Sequence, residues 1–136
     1  MNSSKKIAII GGSIWGNRGA SAMLETTIAK VKQINPKTTF VIYTPYPVKD
    51  QILTNKADLE FYDSRPIAVV KDFLQVFIHQ FLAKKTTLTG SIKSLSDCKI
   101  LLDIGGITFS DGRLIFLPYN VLTILPALML KIPVIK

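Results

Sequence analysis

Two glycine-rich stretches hold most of the chemistry-bearing side chains of this chain. The first, Gly11-Gly12-Ser13-Ile14-Trp15-Gly16-Asn17-Arg18-Gly19-Ala20, follows a β-branched apolar run and leads into a helical pattern. The second, Asp103-Ile104-Gly105-Gly106-Ile107-Thr108-Phe109-Ser110-Asp111-Gly112-Arg113, follows another apolar run. Glycines let backbone amides converge, and amides at a helix start can hold an anion or a sugar hydroxyl. Arg18 would add a forked donor for a carboxylate or phosphate. Asp103, Asp111 and Arg113 can hydrogen-bond sugar hydroxyls, and a carboxylate can move a proton. Each stretch also has a plainer reading. The first can be a tight strand-to-helix turn that needs glycine sterically, and in the second Asp111-Gly112 can be a turn while Asp103 caps nearby amides.

Several familiar chemistries are excluded by residue type. Gly11 to Gly16 has the spacing of a phosphate-binding P-loop, but Asn17-Arg18 stands where Lys-Ser or Lys-Thr is required. The dinucleotide fingerprint fails too, because no glycine stands two places after Gly12 and the second strand ends in Tyr43-Thr44 without an acid. No Gly-x-Ser-x-Gly elbow is present, and His79 and Cys98, each the only one of its kind, have no metal-ligand spacing. His79 falls inside a helical pattern and is expected to pack or face solvent; Cys98 is expected to be a core thiol. Trp15 can stack on a sugar ring or lie over the helix. No metal and no resident cofactor are expected.

The pattern around these stretches alternates strand and helix. Strands are predicted at Lys6–Gly11, Thr38–Thr44, Pro66–Val70, Lys99–Ile104 and Pro133–Ile135. Helices are predicted at Arg18–Ile34, Asp72–Lys85 and Leu114–Leu130, with a short one inside Thr86–Asp97. In the first helix, Ala22, Met23, Thr26, Ala29, Lys30 and Gln33 fall at helical spacing. In the second, Phe73, Val76, Phe77, Gln80 and Phe81 share a face. Pro45 to Asp63 reads as a loop with a short helix, and Pro126 predicts a kink or break. Such alternation predicts an α/β fold: a Rossmann-like parallel sheet with helices on both faces. Both glycine stretches then leave the carboxyl edge of the sheet, where ligands bind in open α/β folds.

With 136 residues, 48% hydrophobic and 19% charged, the chain can bury one core. Disorder and a disulfide scaffold are excluded. A net charge of +8 arises from 17 Lys plus Arg against 9 Asp plus Glu. No basic run exceeds two residues and none is interleaved with aromatics, so a nucleic-acid partner is not expected. The charge instead suits sugar phosphates or a membrane face. Lys5-Lys6 and the following apolar residues imitate a signal peptide, but Gly11, Gly12 and Gly16 interrupt the run. Leu114 to Leu130 lacks charge over seventeen residues, yet Pro118, Pro126, Asn120 and Thr123 favour a buried helix over a membrane span. The final apolar run at Lys136, with no closing helix, suggests the front portion of something longer.

Gly16-Asn17-Arg18-Gly19-Ala20 before a helix resembles the amino-terminal signature of the polysaccharide pyruvyl transferase family. So does Asp103-x-Gly105-Gly106 with Phe109 and Asp111 behind it, then an apolar helix and a Lys-x-Pro-Val strand. The resemblance implies the first domain of a GT-B-like, two-domain bacterial enzyme of exopolysaccharide biosynthesis at the cell envelope. Its reaction moves the enolpyruvyl group of phosphoenolpyruvate onto sugar hydroxyls as a ketal. It further implies that Gly12, Gly16, Asn17, Arg18, Gly19, Asp103, Gly105, Gly106 and Asp111 line an inter-domain cleft holding a glycan or lipid-linked sugar acceptor. The location implied is cytoplasmic, at the inner face of the membrane. Phosphoenolpyruvate-binding cations and a histidine acid would belong to the missing carboxyl-terminal domain. Nothing in this chain matches them, so alone it is expected to be inactive. The rival expectation is a small non-catalytic α/β domain that binds an anionic or nucleotide-sugar ligand.

Overall fold

The computed structural model describes residues 5–54, 56–82, 86–105 and 117–136. Five parallel strands, β1 (Lys6–Ile10), β2 (Thr39–Thr44), β3 (Leu59–Asp63), β4 (Ile100–Asp103) and β5 (Val134–Ile135), form one sheet in the order β3-β2-β1-β4-β5. Between them run α1 (Arg18–Ile34), α2 (Pro47–Thr54), α3 (Pro66–Phe77), α4 (Gly90–Ser96) and α5 (Leu117–Met129). A π-helical turn, Ile78–Leu82, extends α3. The chain is therefore an α/β protein with a Rossmann-like parallel sheet.

Alternating strand residues feed two cores, as a period of two demands. Ala8, Ile10, Val41, Tyr43 and Leu101 bury one face of the sheet against Val76 of α3, Ile92 and Leu95 of α4 and Ala127 of α5. Ile9, Phe40, Ile42 and Leu59 bury the other face, where Leu24 of α1 is fully enclosed and Ile28 and Val31 pack alongside. The buried stripe of α1 is thus Leu24–Ile28–Val31. The sequence-predicted spacing picked its neighbours, of which Ala22, Met23, Thr26 and Ala29 are exposed. Alanine and threonine fit either side of a helix, so spacing alone does not mark the buried one.

The third strand also differs from expectation. Pro66–Val70 is the first part of α3, and the strand lies earlier, at Leu59–Asp63. Ile67-Ala68-Val69-Val70 has the β-branched composition of a strand, but Pro66 at the helix start presets its φ and needs no donor there. As a helix this segment buries Val69 and leads on to Val76, which packs on the sheet. In α5 the helix runs through Pro126 without a break. The predicted start at Leu114 lies outside the described residues. No helix among the described residues is long and apolar enough to cross a membrane.

The topology fixes where a ligand can enter. From β1 the chain moves outward to β2 and β3, then returns past β1 to β4 and β5. The direction of winding reverses between β1 and β4, and their carboxyl ends carry the two glycine stretches.

Candidate functional site

Gly11 leaves β1 with a φ of +84°, and a Cβ there would stand 2.6 Å from the Gly105 Cα. The close approach that these glycines permit is therefore of one loop to the other. At Gly12, a Cβ would lie 2.8 Å from Ile104 Cδ1 and 3.1 Å from Leu24 Cβ, so this glycine lets α1 settle onto the sheet. Asn17 caps α1: its Oδ1 accepts from the Gly19 amide at 2.9 Å and the Ala20 amide at 3.3 Å. Those amides are used by the chain itself, which reduces what the helix start can offer an anion.

Behind the loop stands a side chain that sequence reasoning passed over. Asp50 of α2 is fully buried, and its Oδ1 accepts from the Trp15 amide at 2.7 Å, while Oδ2 has no hydrogen-bond partner among the described residues. Lys49 Nζ lies 4.2 Å from the centre of the Trp15 ring. One turn of α2 thus holds the middle of the first loop from both backbone and ring.

A cavity of about 290 Å³ opens at the carboxyl ends of β1 and β4. Ile10, Leu101, Ile92 and Leu95 form its apolar base, and α3 and α5 form walls. Gly12, Asn17 and Asp103, all singled out in the sequence, line it together with Gly11 and Ser13. Arg18 and Gly16 open instead onto an outer groove beside Trp15, Ser21 and Glu25, with Asn17 shared between the two. Gly19 is bound to Asn17, and Gly105 stands against Gly11. Gly106 and Asp111, with Phe109 and Arg113, lie outside the described residues.

Three carboxylates face this cavity, each with different partners. Asp103, buried at the end of β4, accepts from the Gly105 amide through Oδ1 at 2.9 Å, while Oδ2 is 3.9 Å from Lys136 Nζ. Asp72 of α3 is held above its ordinary pKa by burial, against the opposing hydrogen bond from Ser91 Oγ at 2.6 Å. Asp63, at the end of β3, is held below its ordinary pKa by the Arg65 guanidinium, which donates to both carboxylate oxygens at 2.7–3.0 Å. Tyr119 donates to the Ser64 carbonyl at 2.5 Å, which ties α5 to the end of β3, and buried Asn120 completes that wall. Asp63, Asp72, Tyr119 and Asn120 escaped sequence reasoning. Asp63 was findable, because a residue ending a parallel strand faces this edge once that strand is placed.

Among the described residues lining the cavity there is no lysine or arginine, despite the basic character of the chain. The lining is mostly apolar, and its polar groups are carboxylates, hydroxyls and the amides of Asn17 and Asn120. His79 lies away from it on the π turn, with Nδ1 2.6 Å from the Thr86 carbonyl oxygen. Cys98 is a buried core thiol whose Sγ donates to the Ser94 carbonyl at 3.3 Å. Comparison with protein-family models, with curated proteins and with solved structures finds no match.

Proposed function

We propose that this domain is the acceptor-sugar half of a polysaccharide pyruvyl transferase-like enzyme, with a GT-B-like architecture and a site of action at the inner face of the membrane. The supporting observation is the polar part of the cavity lining: carboxylates, hydroxyls and two amides set in an apolar base, with no lysine or arginine among its described residues. Such a surface accepts hydrogen bonds from the many hydroxyls of a pyranose and repels phosphate and carboxylate. That is the division of labour the reaction needs. Two sugar hydroxyls give up their protons as their oxygens bond to C2 of the enolpyruvyl group; C3 takes up one proton to become methyl, the C2–O bond to phosphate breaks, and the second proton leaves with the phosphate. The anionic donor requires cations and a proton donor, which this reading assigns to a carboxyl-terminal domain. Asp103 and Asn120 would orient the acceptor. Asp72, kept above the usual carboxylate range, would exchange a proton with its hydroxyl.

Amide chemical-shift mapping with a panel of methyl hexopyranosides, and separately with phosphoenolpyruvate and inorganic phosphate, tests this. The expected result is pyranoside-dependent shifts at Gly12, Ser13 and Thr123, lost in Asp103→Asn with Asn120→Ala, and none there with either anion. Shifts at these amides with phosphate or phosphoenolpyruvate alone would overturn the reading in favour of an anion-binding module.

A further inference from the structure

We propose that the outer face of α3 and α5 is a docking surface for an anionic lipid bilayer. Along α3 and the π turn, Ile67, Val70, Leu74, Phe77, Ile78 and Phe81 recur at spacings of three or four and are all exposed. Ile67 is 86% and Phe81 67% exposed, so this stripe is distinct from the core positions Val69 and Val76 on the same helix. The rings of Phe73, Phe77 and Phe81 follow one another with centroids 6.0 and 5.0 Å apart. On α5, which packs beside α3, Leu117, Val121 and Leu128 are exposed, and the helix carries no charged residue. Gln80 Nε2 donates to the Met129 carbonyl where the two helices end. Large apolar side chains gathered along a helix pair differ from the scattered exposure ordinary surfaces show.

Charge selects the occupant. Lys71, between Val70 and Leu74 on α3, and Lys131, just after α5, are exposed, and the one acid of these helices, Asp72, accepts a hydrogen bond from Ser91 at the cavity. A second copy, itself at +8, would set like charges together. Anionic headgroups complement the same lysines, while the apolar stripe enters the boundary beneath them. Val69 and Asp72 of α3 and Tyr119, Asn120 and Thr123 of α5 also wall the cavity. Docking by the outer face therefore holds the cavity within about 10 Å of the headgroups, the thickness of one helix. The inference stands on the surface alone and does not depend on what the cavity binds.

Flotation of the chain with phosphatidylcholine vesicles, with and without about 30 mol % phosphatidylglycerol, tests it. The expected result is flotation only with phosphatidylglycerol, weakened by salt, and reduced about tenfold in Leu74→Ser with Phe81→Ser. Lys71→Glu with Lys131→Glu, which leaves the apolar side chains and the core untouched, should reduce it as well. Failure of the wild-type chain to float with anionic vesicles would overturn the inference. So would flotation of both double variants at the wild-type level, or a dimer in sedimentation that Leu74→Ser with Phe81→Ser dissociates while vesicles remain unbound.

Discussion

Gly11 and Gly105 meet backbone to backbone at the point where the sheet reverses its winding, with 2.6 Å between the position of a Gly11 Cβ and the Gly105 Cα. Gly11 also lines the cavity. Gly11→Ala imposes both a positive φ on a side-chain-bearing residue and an overlap with the β4 loop, together about 3 kcal/mol. Gly90 also has positive φ, at +56°, but its Cβ would meet nothing within 4 Å, so Gly90→Ala should cost only about 1 kcal/mol. Urea denaturation of the two variants measures the difference, and equal midpoints would contradict the packing described.

Asp50 is predicted to hold the first loop. Asp50→Ala leaves the Trp15 amide without its acceptor and should cost about 2–3 kcal/mol. Asp50→Asn keeps an acceptor for that amide and should remain within about 1 kcal/mol of the wild type. The fluorescence of Trp15, the only tryptophan, reports the loop directly. An unchanged emission maximum in Asp50→Ala would show that the loop holds itself.

The acids predict an asymmetric pH dependence. A carboxyl raised in the folded state, like that of Asp72, binds its proton more tightly there than in the unfolded chain. Its stabilisation is present at low pH and lost as pH rises through the folded value. Burial pushes Glu60 up too, but hydrogen bonds from Lys6 and Ser94 outweigh it and leave the group lowered. With Asp63 lowered as well, these two groups stabilise above the unfolded value and lose that contribution as pH falls through their folded values. Asp72→Asn should therefore match the wild-type midpoint near pH ~3.5 and exceed it at pH ~7. Parallel curves across that range would remove the burial explanation.

Cys98 should be silent in the native protein. Burial raises its thiol to about 12, and only the thiolate reacts. Labelling by a disulfide reagent at pH ~8 should be slow in buffer and complete in denaturing urea. Rapid native labelling would show that α4 opens readily.

The strands ending at Ile10 and Asp103 were legible because apolar β-branched runs closed by glycine leave little else to form. The limits of α1 were equally legible, since Asn17 can cap and Asn35-Pro36 must stop a helix. β3 was not legible. Leu59-Glu60-Phe61-Tyr62-Asp63 mixes charge with aromatics because Glu60 pairs with Lys6 of β1 at 2.7 Å, a partner more than fifty positions away in the chain. The same holds for the cavity: Asp63, Asp72, Tyr119 and Asn120 are polar residues scattered over three elements, and none carries a local signature.

By itself the sequence determined the alternation of strand and helix, the parallel sheet and the two glycine stretches at its carboxyl edge, because hydrophobic period and glycine or proline punctuation act over a few residues. Tertiary structure decided which stripe of α1 is buried, that Ile67–Val70 joins a helix, and that Asp50 is enclosed and Asp72 partly buried. Those outcomes depend on what each segment packs against, and burial and electrostatic partners are properties of the assembled chain.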